Sequence, residues 1–151
     1  MIDKKSFKNA IGIPLEKAEF FKRGQSWYIN GKDAIVVINL QKSNWSELYY
    51  INFGIWLNAF GDTQFPQLNH CHLYYRIENF FPEERELIVT SCDLDRSSLE
   101  KLTQLSRFIE QQLIPFAWEC TDETKLRVLM IKGVLNGGLV RHEAKVYLMG
   151  N

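Results

Sequence analysis

The stretch VVINLQKSNW (residues 36–45) decides the fold, because an apolar strand turns polar here on one side only. Successive side chains of a strand point to opposite faces. Val36, Ile38 and Leu40 therefore point one way, and Ile35, Val37, Asn39, Gln41 and Ser43 the other. The split recurs in LYYINFGIWLN (48–58), where Tyr49, Ile51, Phe53, Ile55 and Leu57 oppose Tyr50, Asn52, Gly54 and Trp56. It recurs again around CHLYYRIENF (71–80), where His70, His72, Tyr74 and Arg76 share one parity and Cys71, Leu73, Tyr75 and Ile77 the other.

Working outward, Gly24-Gln25 and Asn30-Gly31 are turn signals, and they divide strands at about 20–23, 26–30 and 33–42. Before them, Asp3 can cap a short helix whose Phe7, Ala10 and Ile11 share a face and which Gly12 and Pro14 should interrupt. The second half is helical. Ser97-Ser98-Leu99-Glu100 has the form of a capping box, and Leu99, Leu102, Leu105, Phe108, Ile109 and Leu113 follow at helical spacing until Pro115. Thr121-Asp122-Glu123 opens another helix, with acids in its first turn and a stop at Gly133. The tail GLVRHEAKVYLMGN (138–151) fits a short helix or a strand, and helix is preferred. Strands joined by tight turns and followed by helices predict an α+β fold, with an antiparallel sheet of about 4–5 strands and helices packed on one face.

The 151 residues, 46% of them apolar and without a linker or repeat, are read as a single domain. Eighteen basic against eighteen acidic side chains leave no net charge, so a long-range field that would gather nucleic acid or anionic lipid is not expected. No apolar run reaches the roughly 20 residues of a membrane span, and MIDKKSFKNAIG lacks the apolar core of a secretory signal. A cytoplasmic protein is expected. Cys71, Cys92 and Cys120 match neither a disulfide framework nor a CxxC pair and are read as reduced, buried thiols.

If the three strands share a sheet, Asn39, Gln41, Ser43, Tyr50, Asn52, Trp56, His72, Tyr74 and Arg76 form one polar and aromatic face away from the helices. Such a mixture suits a hydrogen-bonding partner with some flat apolar area. Outward faces of antiparallel sheets are ordinarily polar, so solvent alone could explain these residues, although Asn is a poor strand former. His70-Cys71-His72 offers two imidazoles on one face, but no further Cys or His supplies the four ligands of structural zinc, and no metal is assigned. Cys71 has the opposite parity, which argues against a Cys–His pair. Asp93 and Asp95 immediately precede the Ser97 cap and are read as helix-end acids. Phosphate-binding loops, nucleophile elbows and HExxH helices are absent, so no cofactor is expected. Lys4, Lys5, Lys8, Lys22 and Arg23 could make a modest basic patch near Phe20, Phe21 and Trp27, read as solvated surface.

The run VVINLQKSNWSELYYINFGIWL, preceded by FFKRGQSWY and followed by CHLYYRI, resembles the bacterial family catalogued as domain of unknown function 4304. The likeness spans residues 15 to about 80, and Asn39 to Ser43 is its most specific part. It implies an α+β domain of a bacterial cytosol and carries no activity or site residue. Leu73-Tyr74-Tyr75 stand where more polar residues would be expected between the histidine and Arg76. The expected function is a non-enzymatic module whose face engages a protein or peptide, in an adaptor or toxin-neutralising role. The alternatives are a small-molecule pocket with His72 as acid or base and Arg76 as anion anchor, and a homodimer burying exposed Trp and Tyr.

Overall fold

The computed structural model describes residues 1–150. Six strands form one antiparallel sheet in sequential order: β1 (Phe21–Arg23), β2 (Ser26–Asn30), β3 (Ala34–Lys42), β4 (Tyr49–Leu57), β5 (Leu73–Arg76) and β6 (Leu139–Val140). The sheet is wider than the expected 4–5 strands because the tail does both things its pattern allows. It adds β6 beside β5 and then forms a helix, α6 (His142–Met149).

One face of this sheet meets the helical layer. Trp27, Ile29, Val36, Ile38, Ile51, Phe53, Ile55, Leu73 and Tyr75 are buried there with Phe7, Ile11, Leu15, Leu105, Ile109 and Leu113. The helices supplying that layer are α1 (Lys4–Lys17), α2 (Arg85–Ser91), α3 (Leu99–Phe108), α4 (Ile114–Glu119) and α5 (Glu123–Ile131). A chain of aromatic contacts runs from Phe53 through Phe116 and Phe81 to Phe108. Among the described residues no helix is long and apolar enough to cross a membrane.

Several local expectations give way to packing. Asp3 caps α1 as expected, but Gly12 and Pro14 do not interrupt it. Proline removes the amide that would bond the carbonyl four residues back. That carbonyl, on Ala10, instead accepts the Ser106 hydroxyl at 2.6 Å. Pro115 likewise fails to end the second helical run, which passes through a π-turn at Ile109–Leu113 into α4. A π-turn is a familiar way to absorb such a disruption. The cap of α3 is Ser98, which accepts from the Lys101 amide, not Ser97, and Leu99 points outward. Helix α2 was not anticipated, and β5 ends at Arg76, four residues before the expected limit. Gly31 does not adopt positive φ; a Cβ there would collide with the Thr121 side chain, so close approach is what requires glycine.

Candidate functional site

Strand register brings the polar residues into line. Arg23 pairs with Ser26, Ser26 with Asn39, Asn39 with Asn52, and Asn52 with Arg76. One transverse row, Arg23–Ser26–Asn39–Asn52–Arg76, therefore crosses β1 to β5 on the face opposite the helices. Gln41 and Tyr50 are paired in the adjoining position. Ser26 and Arg23 belong to this site although strand reading left them out. The two-residue Gly24-Gln25 turn, which sets their register, was the signal that could have found them.

Side chains bond to one another along the row. Asn39 Nδ2 donates to Ser26 Oγ at 2.9 Å and to Gln25 O at 3.4 Å. Asn52 Nδ2 donates to Gln41 Oε1 at 2.9 Å and to Asn39 Oδ1 at 3.4 Å. Asn52 is completely buried, and its Oδ1 has no hydrogen-bond partner. Arg76 is the β5 partner of Asn52, yet its guanidinium lies 3.7 Å from the centre of the Tyr50 ring. Stacking of this kind holds a guanidinium flat and leaves its edge donors available. Arg23 repeats the arrangement at the other end, 4.5 Å above Phe65.

The remaining sequence-derived candidates lie elsewhere. The 58–72 connection folds back over the other half of this face. Its Phe65 packs on Phe21 and Tyr28, and Leu68 and Cys71 lie so close to Gly54 that a Cβ there would be 3.0 Å from Leu68 Cδ1 and 2.8 Å from Cys71 Sγ. Trp56 donates its indole N–H to Gly61 O at 3.1 Å. His72 is buried, stacked against Trp56 and Phe60, with Nδ1 accepting from the Leu57 amide at 3.0 Å. Burial holds its pKa below the ordinary 6.5, Glu143 working against the shift and Arg141 with it. Its acceptor nitrogen is thus committed to the backbone, and His72 does not share an open site with Arg76. Tyr74 stands opposite Gly54 and Leu139, at the boundary between the halves. Ser43 lies beyond β3 in a hairpin turn, where its hydroxyl accepts from the Trp45 amide.

The C-terminal segment holds the connection down. Arg141 donates to Cys71 O at 3.1 Å and to Asn69 O at 2.9 Å, and Tyr147 meets Phe60 edge-on. His70 is exposed in a 3-10 turn, so it and His72 are not presented by one strand. Cys71, outside any strand, lies on the Gly54 side, a correction to its expected parity. Desolvation pushes its thiol up to about 12, which removes the thiolate a nucleophile needs. Among the described residues no three His, Cys, Asp or Glu side chains converge as metal ligands. Two clefts, of about 400 Å³ at Asn30, Asn58 and Gly61 and about 350 Å³ at Phe21, Tyr28, Phe65 and Trp118, follow the margins of the connection. Neither is lined by Asn39, Gln41, Tyr50, Asn52 or Arg76.

The chain matches the family described as a domain of unknown function (DUF4304) over residues 11–119. It belongs to that family. The matched span contains the whole transverse row and the connection over Gly54, whereas β6 and α6, which hold the connection, lie beyond it. No curated protein and no solved structure matches the chain.

Proposed function

We propose that this DUF4304 protein is a binding module that engages a protein or peptide through the uncovered half of its second sheet face. The observation that carries this reading is the Asn52 amide. A fully buried amide fixes the neighbouring Asn39 and Gln41 by donating to them while its own carbonyl oxygen goes unpaired. A buried acceptor without a partner costs about 1–3 kcal/mol, and a face serving solvent alone has no need of it. Beside it stand Tyr50 and Arg76, residue types enriched where interfaces form. The cleft that Tyr50 lines, with Glu78 and Cys92, holds only about 40 Å³, which favours a broad partner over an enclosed small molecule.

The test is capture from lysate with wild-type bait and with a Gln41→Ala/Arg76→Ala bait whose unfolding midpoint has been matched. A partner held by the first and released by the second supports the reading. Equal retention by both, or cross-links confined to other surfaces, would refute it.

A further inference from the structure

We infer that the occupant of this face is an extended acidic peptide segment, laid across the strands with carboxylates at Arg23 and Arg76; the inference rests on the binding role proposed above. Three observations carry it. First, the charge on the row is one-sided: Arg23 and Arg76 stand at its two ends, and neither the row nor the adjoining Gln41–Tyr50 pair includes a carboxylate. Among the described residues the ion pairs are Lys42–Glu47 and Arg127–Glu123, so neither arginine is neutralised within the chain. Each end of the row thus carries a cation without an ion-pair partner.

Second, both guanidiniums are held over aromatic rings, at 3.7 Å over Tyr50 and 4.5 Å over Phe65. Orientation of a planar fork before binding lowers the cost of bidentate capture of a carboxylate. Third, the amides between them are oriented by their own bonds. Asn52 directs its N–H groups at Asn39 and Gln41, and Gln41 accepts with Oε1, which leaves the exposed Gln41 amide nitrogen pointing to solvent as a donor. Between the arginines the free donors are thus the Gln41 amide nitrogen and the Ser26 hydroxyl, the complement of carboxylates and peptide carbonyls.

Geometry sets the spacing. Four inter-strand steps separate β1 from β5, roughly 19 Å, which an extended peptide covers in about six residues. Two acids about six positions apart should fit better than two adjacent ones.

The experiment is fluorescence anisotropy with three labelled probes: a Gly/Ser peptide bearing two glutamates about six positions apart, the same composition with the glutamates adjacent, and a single-stranded oligothymidylate. The spaced peptide is expected to bind about three- to tenfold more tightly than the adjacent one, and Arg23→Gln and Arg76→Gln should each weaken it by a similar factor. Arg76→Lys should recover part of the loss, since it keeps the charge without the fork. Circular dichroism and unfolding midpoints of each variant separate lost contact from lost fold. Arginine variants that bind the spaced peptide as wild type does would overturn the assignment. So would tighter binding of the oligothymidylate with the same arginine dependence. If the arginine variants bind normally while Gln41→Ala/Arg76→Ala still releases the captured partner, the acidic-segment assignment fails and the binding role stands.

Discussion

The second sheet face is two different surfaces made from the same strands. Over Ile35, Val37, Gly54 and Trp56 the 58–72 connection excludes water, and an imidazole that looked reactive is stacked between rings with its acceptor nitrogen given to a backbone amide. Two positions further along β3 and β4 the connection no longer covers the sheet, and Asn39, Asn52 and Gln41 bond to each other instead. Residue type alone did not decide which polar groups became structural. The connection between β4 and β5 did, and the open half is where the fold leaves the Asn52 carbonyl oxygen unsatisfied.

The comparison breaks most severely at Gly54. Gly54→Val would drive a branched side chain into Leu68 and Cys71, and overpacking of this kind costs about 1–3 kcal/mol. Denaturant titration should show the loss, and hydrogen exchange should show the 58–72 amides losing protection first. Unchanged protection there would mean that the connection is not seated as described.

Next comes pH. Because burial depresses the His72 pKa below 6.5, the native state resists a proton that the unfolded chain accepts. The stability contributed by neutral His72 is complete above 6.5 and is lost as pH falls from there toward the lower native value. Thermal midpoints should fall more steeply across this range in wild type than in His72→Gln, which keeps an acceptor but does not titrate. Equal slopes would place the imidazole outside the sealed half. On the open side effects should be small. Arg76→Gln forfeits one stacking contact, about 0.5–1 kcal/mol, and should leave the 58–72 amides protected.

How far the sequence disclosed this follows the same division. Alternation within 35–42 and 49–57 was enough to place Asn39, Gln41, Tyr50 and Asn52 on one side, because period-two geometry is local. Arg76 joined them because β5 keeps that parity through Asn52↔Arg76. Trp56 and His72 were drawn into the same site because no local pattern reveals that a loop will fold back over part of a sheet. Similarly, Pro14 reads as a helix stop until Ser106, distant in the chain, supplies the missing donor to Ala10. The strand Leu139–Val140 could not be assigned from two residues; it exists because β5 offered an edge.

If the amide row is kept for an occupant and not for the fold, equilibrium unfolding of Asn39→Val/Asn52→Val will show it. Valine suits a strand better than asparagine by up to about 1 kcal/mol, and the change removes the unpaired Asn52 acceptor, offsetting the lost side-chain bonds. The expected result is a stability equal to wild type or slightly above it. A loss of more than about 2 kcal/mol, beyond what the four side-chain hydrogen bonds removed would cost after that offset, would show the row to be structural.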